Sequence, residues 1–361
     1  MSSLTSMTTT AGERLERITA SPQFRDGRFH NPTRGIPTMR YTGDGSLLGD
    51  FLFGRKKRMP PGPLPVESPL AGWQHSPGGD LRITWLGHST MVIESGGIRV
   101  LTDPVFGGRI GPLAGIGPRR YHPVPATIAQ LPKLDAILVS HDHFDHLCKP
   151  SMTELAKLGV PVVTSLGVGT RLARFGVQTC TELDWWERHT MLGGDLAFTA
   201  VPAHHFSGRS LTDRNRTLWS SWVIQTPRHK LFFSGDTGPH PQFTMIGERF
   251  GPFDVTMLEI GAWNPAWGDI HLGPANALTA FAELGGGTLM PVHWGTFDLG
   301  LHPWDEPAEM LYELAETSHA RILTPTLGRP FVPAHVDVPS PWWRTVQRAS
   351  EMSELATARS A

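Results

Sequence analysis

A cluster of histidine and aspartate residues near the middle of the chain has the composition of a metal site. The segment is His141-Asp142-His143-Phe144-Asp145-His146, and it directly follows the apolar residues 135–140, which predict a strand covered on both faces. His141 and His143 are two residues apart, so in an extended chain their side chains point the same way. Three imidazoles and two carboxylates at the end of a buried strand would be costly without a compensating cation. Both groups are ligands for Zn²⁺, so the segment predicts a metal centre.

Further residues of the same types follow other predicted strands. His204 and His205 come after the strand-like residues 196–202, Asp236 after residues 230–235, and His293 after residues 289–292. Taken alone, each has an ordinary explanation, as a satisfied strand-end histidine or a turn aspartate. Together they offer more ligands than one tetrahedral ion can use, which predicts a site with two metals.

The predicted elements that position these residues alternate along the chain. Regular structure begins at Leu81, and short β-rich segments then alternate with helical ones. One helix is predicted over residues 274–284, with Pro274 in its first turn and Gly285 just past its end. Strands in two batches with interspersed helices favour an α/β (α+β) fold of two packed sheets flanked by helices. We expect an irregular N-terminal arm over residues 1–75, one large domain over residues 76–335, and a C-terminal tail or helix over residues 336–361.

Composition narrows the class of protein. The 361-residue chain has a formal net charge of −1 and 18% charged residues, so no overall field attracts nucleic acid or an anionic membrane. Cys148 and Cys180 cannot form a disulfide framework, and neither a secretory signal nor a membrane-spanning run is recognisable. We therefore expect a cytoplasmic protein. The basic cluster Gly54-Arg55-Lys56-Lys57-Arg58 is expected to be solvated, with a peripheral contact to phosphate groups or a membrane surface as the alternative.

The order of the candidate ligands resembles that of the metallo-β-lactamase superfamily: H-x-H-x-D-H, then His, then Gly-Asp, then His. More narrowly, several motifs resemble the family of N-acyl-phosphatidylethanolamine-hydrolysing phospholipase D. They are Trp85-Leu86-Gly87-His88-Ser89-Thr90, Leu101-Thr102-Asp103-Pro104, Glu182-Leu183-Asp184-Trp185-Trp186, Phe233-Ser234-Gly235-Asp236-Thr237-Gly238, the segment from Gly247 to Asp254, and His293-Trp294-Gly295-Thr296-Phe297, with a shorter match at Phe29-His30-Asn31-Pro32. The resemblance implies a four-layer αββα sandwich with two metal ions, expected to be zinc, at one edge.

The resemblance also assigns roles to the candidate ligands. It implies one metal ion held by His141, His143 and His205, a second held by Asp145, His146 and His293, and Asp236 bridging the two. The family has an aromatic residue after its single ligand histidine, which favours His205, before Phe206, over His204. Asp103 matches a carboxylate beside the metal-bound histidines, where it would fix the orientation of a ring. The alternative for Asp103 is a turn-forming residue before Pro104.

Fewer sequence features indicate the residues that contact the substrate than indicate the metal ligands. His271 matches a family histidine on the substrate side of the metals, although a solvent-facing loop histidine is the alternative. Arg209 is a candidate anion contact or a plain surface arginine. Trp263 and Trp267 flank the loop before His271 and are candidates for the wall of an apolar pocket, although burial in a core is the commoner use of tryptophan. Cys148 departs from the family, which can carry an acidic residue there.

The expected activity is that of a binuclear zinc phosphodiesterase of phospholipase D type, acting on N-acyl phospholipids or related phosphodiesters. Two metals about 3.5–4 Å apart can lower the pKa of a bridging water towards about 7 and supply hydroxide for attack on phosphorus. Asp145 and Asp236 would position the ions, and His271 would protonate the leaving group.

Other functions remain open on the sequence alone. Hydrolysis of cyclic esters or amides, as in lactonases or β-lactamases, is the main alternative, although a bridging Asp236 speaks against a typical β-lactamase. A nuclease or a metal-binding sensor without turnover is less favoured, and no nucleic-acid partner is expected. The family resemblance suggests a homodimer.

Overall fold

The computed structural model describes residues 10–33, 58–113, 115–264, 269–318, 320–336 and 341–349. The strands are β1 (Phe24–Arg25), β2 (Arg28–Phe29), β3 (Leu81–Gly87), β4 (Thr90–Ser95), β5 (Ile98–Thr102), β6 (Ala136–Val139), β7 (Val162–Ser165), β8 (Cys180–Leu183), β9 (Arg188–Met191), β10 (Leu196–Val201), β11 (Ser221–Gln225), β12 (Lys230–Phe233), β13 (Val255–Glu259), β14 (Thr288–Val292), β15 (Arg321–Ile322) and β16 (Pro330–Phe331). The helices are α1 (Ala11–Ala20), α2 (Leu70–Trp73), α3 (Lys149–Leu155), α4 (Gly169–Arg174), α5 (Gln242–Phe250), α6 (Gly273–Glu283) and α7 (Glu306–Ser318).

Two seven-stranded sheets follow the same plan. One has the order β16-β3-β4-β5-β6-β7-β8 and the other β9-β10-β11-β12-β13-β14-β15. In each sheet, three antiparallel pairings are followed by three parallel ones. The strands β3, β5 and β6 of one sheet therefore run in a common direction, as do β10, β12, β13 and β14 of the other. In each sheet, the carboxyl ends of these strands lie at one edge, where binding sites commonly form in such folds.

Alternating side chains of the sheets explain the layers. In β6, Ala136 and Leu138 face the core between the two sheets, whereas Ile137 and Val139 pack against helices on the outer face with Met152 of α3. Successive strand residues point to opposite faces, so a strand covered on both sides is apolar throughout, as residues 135–140 predicted. The arrangement of helix, sheet, sheet and helix confirms the predicted four-layer αββα sandwich.

The N-terminal arm is not irregular throughout, contrary to the expectation for residues 1–75. Residues 11–20 form α1, which Thr10 begins through a capping box with Glu13. None of its residues is fully buried, but Ile18 packs against the buried cluster that contains Phe29 and Trp219. After α1, β1 and β2 pair as a short hairpin. Whether the arm is a separate domain stays a prediction.

The C-terminal segment packs into the main core. Trp342 and Trp343 are buried, and both rings contact that of Trp294; residues 343–349 are helical. Of the basic cluster predicted at residues 54–58, the first four residues lie outside the described part. Arg58 is buried beside Asp298, with 3.6 Å between Nε and a carboxylate oxygen.

Among the helices described, none is long and apolar enough to cross a membrane.

Candidate metal centre and active-site cleft

The strand ends of both sheets bring the predicted ligands together. His141, His143, Asp145 and His146 follow β6, and the other three ligands follow β10, β12 and β14. At the last of these ends, His293 has a φ of 64°, a left-handed conformation that is uncommon outside glycine. The seven predicted ligands thus lie in two adjacent groups: Asp236 belongs to the group of His141, His143 and His205, and its other carboxylate oxygen lies against the group of Asp145, His146 and His293.

The first group consists of His141, His143, His205 and Asp236. Nε2 of His141 lies 2.9 Å from Nδ1 of His143, which lies 3.2 Å from Nε2 of His205. Oδ2 of Asp236 lies 3.8 Å from the His141 nitrogen and 3.6 Å from the His205 nitrogen. Four ligands about 2.0–2.2 Å from a tetrahedrally bound ion lie about 3.3–3.6 Å from one another, so this group has roughly the dimensions of a four-ligand metal site.

The second group contains Asp145, His146, His293 and the other oxygen of Asp236. Oδ1 of Asp236 lies 3.1 Å from Nε2 of His146 and 3.2 Å from Nε2 of His293. Oδ2 of Asp145 lies 3.6 Å and 3.4 Å from the same two nitrogens. The two carboxylate oxygens of Asp236 therefore face different ligand groups, which is the geometry required of a bridging ligand.

Unsatisfied atoms in the second group indicate what fits between them. Nε2 of His146, Nε2 of His293 and Oδ1 of Asp236 are buried and have no hydrogen-bond partner among the described residues. Buried polar atoms are rarely left in this state, and these three converge on one point. A divalent cation satisfies all of them, so the residues present fit a metal ion.

Hydrogen bonds behind the histidines orient their rings. Nδ1 of His146 donates to Asp103 over 2.7 Å, Nδ1 of His205 to the carbonyl oxygen of Ile270 over 2.9 Å, and Nδ1 of His293 to that of Gly261 over 3.2 Å. In each case Nε2 is left as the inward-facing nitrogen. Such bonds fix the tautomer and the orientation of a metal-bound ring, and the location of Asp103 is the one predicted for it.

Burial and neighbouring histidines shift the pKa values of the ligand side chains. Burial alone raises the pKa of Asp236, but His146 and His293 outweigh burial and hold that pKa well below the ordinary value. Burial and the neighbouring imidazoles of His146 and His143 lower the pKa of His141 well below its usual range. Ionised carboxylates and neutral imidazoles are the forms that bind metals.

The second group carries more negative charge than the first. Burial lowers the pKa of His146, but Asp236, Asp145 and Asp103 outweigh it and raise the pKa well above the ordinary value. Burial also lowers the pKa of His293, but its neighbours, chiefly Asp236, outweigh burial and raise that pKa to about 10. The excess of carboxylate charge at this position is what a divalent cation would neutralise.

Two residues of the centre escaped the sequence analysis. His88, after β3, is buried, and its Nε2 donates to Asp145 over 3.0 Å. Glu259, at the end of β13, is fully buried and accepts a hydrogen bond of 2.7 Å from Nδ1 of His271. His88 stands in a motif that carried the family resemblance, and Glu259 ends an apolar predicted strand. The family motif and the strand end were the only sequence signals that could have identified these two residues, because neither has a histidine or carboxylate beside it in the sequence.

A cleft of about 290 Å³ opens over the metal centre. The predicted His271 lines it, and its ring centroid is 5.1 Å from that of His205. Apolar side chains form much of the remaining wall: Phe206, Ala262, Ile270 and Leu299. Trp263 lies beside Gly273 outside this lining, and Trp267 lies outside the described residues. The described lining therefore comes from residues other than the two predicted tryptophans.

Arg209 does not line this cleft. Its guanidinium donates to the carbonyl oxygens of Asp142 and Leu147 at 2.7 and 2.8 Å and stacks on Phe144, so it braces the backbone around the ligand cluster. This placement does not support its predicted contact with the substrate. Arg214, which the sequence analysis missed, lines the cleft instead, with its guanidinium carbon 4.3 Å from the centre of the Phe206 ring.

Two further sequence expectations concern neighbours of ligands. His204 lies beside Thr33, with 3.1 Å between Nδ1 and the hydroxyl oxygen, and is not in either ligand group. Cys148 is buried in a small apolar cluster with Val105, Ile110 and Phe297. The ligand role of His205 stays a prediction, but of the two adjacent histidines only His205 is placed to fill it.

Comparisons with known proteins agree with this geometry. A family model described as the β-lactamase superfamily domain matches residues 98–294. An uncharacterised protein of Mycobacterium tuberculosis is 41% identical over 334 residues, which cover 90% of this chain and 88% of the relative. N-acyl-phosphatidylethanolamine-hydrolyzing phospholipase D 1 of Caenorhabditis elegans is 34% identical over 266 residues, covering 70% of this chain and 74% of that protein.

A solved structure shows the same fold. The metallo hydrolase Igni18 of Ignicoccus hospitalis matches with a TM-score of 0.55 at 19% identity, over 70% of this chain and 97% of that one. The chain belongs to the metallo-β-lactamase superfamily and is a metal-dependent hydrolase of that fold. Its relatives include the N-acyl-phosphatidylethanolamine-hydrolysing phospholipases D, which confirms the resemblance found in the sequence.

Proposed function

We propose that the chain is a binuclear zinc phosphodiesterase of phospholipase D type, acting on N-acyl phospholipids or related phosphodiesters. The observation that carries the proposal is the division of the Asp236 carboxylate between two ligand groups, one oxygen to each. A mononuclear site would have no use for the second group. The 34% identity to the phospholipase D of Caenorhabditis elegans supports the choice of substrate class.

Two zinc ions in these groups would supply an activated water and positive charge for a phosphoryl oxygen. The chain's own contribution is to hold the ligands rigidly. Asp236 fixes the separation of the two groups, and Asp145 is itself held by the hydrogen bond from His88. Catalytic constellations need this support because small displacements of reacting groups are costly in rate.

His271 is the proposed proton donor to the leaving group. Its ring borders the cleft, and its Nδ1 is bound to Glu259 over 2.7 Å, so we assign the proton transfer to Nε2. The buried carboxylate of Glu259 also accepts from the backbone N–H groups of Thr237 and Leu272, both at 3.1 Å. Three hydrogen bonds hold this carboxylate in place, and it in turn fixes the orientation of the His271 ring.

The remaining walls of the cleft suit an amphiphilic phosphodiester. Phe206, Ile270 and Leu299 offer apolar surface for acyl carbons, and Arg214 offers a guanidinium for phosphate oxygens. Guanidinium groups match phosphate in charge and geometry and gain much less from a neutral ester. This combination favours a lipid phosphodiester over a lactone or a lactam.

A substrate panel on one preparation of known metal content tests the proposal. N-acyl phosphatidylethanolamines of increasing acyl length, a lactone and a lactam are compared below their micelle concentrations, before and after chelation and zinc restoration. Burial contributes about 0.8 kcal/mol per CH₂, so kcat/KM for the phosphodiester should rise with chain length until the apolar wall is filled. Faster turnover of the lactone, with no dependence on acyl length, would contradict the proposal.

A further inference from the structure

A residue of the N-terminal arm lies directly behind the first ligand group. Oδ1 of Asn31 accepts hydrogen bonds from the backbone N–H of His205 over 2.9 Å and from Nε1 of Trp219 over 3.0 Å. Two donors converge on one atom, which settles the orientation of the amide. His205 and Trp219 are buried, so both donors need partners within the protein; the Trp219 indole N–H is shared with the carbonyl oxygen of Ala203 over 3.0 Å, whereas the His205 N–H bonds to Asn31.

The position of His205 in the chain explains why it needs this partner. The strand β10 ends at Val201, so the backbone beyond it is held by single contacts instead of a strand ladder: the carbonyl oxygen of Ala203 accepts from Nε1 of Trp219 over 3.0 Å, and that of His204 from the N–H of Gly238 over 2.7 Å. The N–H of His204 is taken by the hydroxyl of Thr237, and that of His205 by Asn31. A side chain of the arm thus supplies the hydrogen bond that a neighbouring strand would otherwise give.

The arm is fixed against the same edge of the fold by several independent contacts. Phe29 is fully buried with Trp219, and its backbone N–H and C=O both pair with Asn215, over 2.8 and 3.2 Å. In α1, Nε of Arg14 donates over 2.5 Å to Glu182, whose carboxylate is fully buried. Asn31 is therefore held in position by contacts on its N-terminal side, and it transmits that position to His205.

We propose that Asn31 is a positioning residue for the first ligand group, so that docking of residues 10–33 and metal binding by His205 stabilise each other. The inference rests on the ligand role proposed for His205. If the arm orders the ligand, the bound metal must in turn order the arm, because such a coupling is reciprocal. The arm is then part of the metal centre and not an appendage of the hydrolase domain.

Metal-binding measurements on the full chain test the role of Asn31. The variants are Asn31→Ala, Asn31→Asp and, as a matched control, Thr33→Val, which removes the contact with His204 and leaves His205 untouched. Zinc is titrated against a competing chelator so that the two binding constants are resolved. Loss of a group behind a ligand typically weakens metal binding about 10–100-fold, so Asn31→Ala should weaken one of the two sites at least about tenfold.

The other variants distinguish positioning from general destabilisation. Asn31→Asp keeps an oxygen acceptor for both donors, so it should retain the zinc affinity that Asn31→Ala loses. Thr33→Val should leave both affinities unchanged. His205→Ala is the reference and should abolish the same site. If His205→Ala lowers metal binding and Asn31→Ala does not, the inference fails while the proposed metal centre stands. If His205→Ala has no effect, the proposed ligand itself is wrong.

Hydrogen exchange of the arm tests the reciprocal effect without any measurement of activity. The amide of Phe29 donates to the carbonyl oxygen of Asn215, and its exchange is followed with zinc and with chelator. We expect slower exchange with zinc in the natural chain and no effect of zinc in His205→Ala. Exchange of Phe29 that does not respond to zinc in the natural chain would overturn the proposed coupling.

Discussion

The carboxylate of Asp103 links the two ligand groups through their supporting hydrogen bonds. Its Oδ2 accepts from Nδ1 of His146 and from the hydroxyl of Ser140, both over 2.7 Å, and its Oδ1 accepts from the N–H of Ser140. The Ser140 oxygen lies 3.0 Å from Nδ1 of His141. One buried carboxylate therefore supports His146 directly and His141 through Ser140.

Asp103→Ala should consequently weaken both metal sites, the His146 site more. The substitution leaves His146 and Ser140 without their buried acceptor, at a cost of about 1–3 kcal/mol for each unsatisfied group. We expect a lower melting temperature and a drop of at least about tenfold in the affinity of one site, measured by chelator competition. An Asp103→Ala protein with both affinities unchanged would show that the carboxylate only forms a turn.

The ligands could be found in the sequence because each one follows an apolar strand. His141, Asp236 and His293 can be identified from the local sequence alone. Each follows a predicted strand, and the parallel strands of a sheet place their carboxyl ends at the same edge. The occurrence of predicted strands in two batches with interspersed helices likewise predicted two packed sheets. Local pattern was sufficient wherever function and strand geometry coincide.

The residues that were missed, or placed elsewhere, depend on contacts between distant segments. Asn31 meets His205 across 174 positions, and His88 meets Asp145 across 57. Arg209 and Arg214 are five positions apart in one loop, and only its folded path decides which of them faces the cleft. A loop has no periodicity from which such directions can be inferred.

Metal removal should destabilise the protein as well as inactivate it. We expect two equivalents of zinc per chain by elemental analysis, because the seven predicted ligands form two groups. Chelation would leave the converging atoms of His146, Asp236 and His293 without a cation. At a free zinc concentration of 100 times the dissociation constant, one site contributes about 2.7 kcal/mol of stability. The melting temperature should therefore rise with zinc concentration, and a single equivalent at saturation would contradict the binuclear site.

Asp236→Ala should nearly abolish turnover and leave a folded protein. The substitution removes the carboxylate whose two oxygens face different ligand groups, so the two sites lose their common ligand and their fixed separation. The exposed Asp195, in a turn before β10, provides the control Asp195→Ala, which should retain full activity. A loss below about tenfold for Asp236→Ala would be too small for the removal of a bridge that positions both ions.

Glu259→Gln should impair substrates with poor leaving groups selectively. The amide keeps one oxygen for the backbone of Thr237 and Leu272 but removes the negative charge beside His271. An alkoxide leaving group needs the proton of His271, and such general acid catalysis contributes about 10²–10⁴-fold. A nitrophenolate needs no proton. We therefore expect kcat to fall at least about tenfold for an alkyl phosphodiester and to change little for a nitrophenyl one.

The leaving-group comparison is informative only at constant metal content, because Glu259 also lies 3.7 Å from Nδ1 of His293. Zinc is therefore quantified in each preparation, and His271→Ala is measured beside Glu259→Gln. Both variants should show the same selectivity for the leaving group. An equal loss on the two substrates would mean that Glu259 supports the metal centre and not proton transfer.

The two arginines near the cleft should respond differently to substrate charge. Arg214 lines the cleft, so Arg214→Ala should lower kcat/KM for a phosphodiester by about tenfold, the value of one charge-assisted contact of about 1.4 kcal/mol, and affect a lactone much less. Arg209 donates to the backbone of the ligand cluster, so Arg209→Ala should lower activity on both substrates by a similar factor. If Arg209→Ala proved the phosphate-selective variant, its guanidinium would have to leave the carbonyl oxygens of Asp142 and Leu147 when substrate binds. That outcome would return the phosphate contact to the residue that the sequence first indicated.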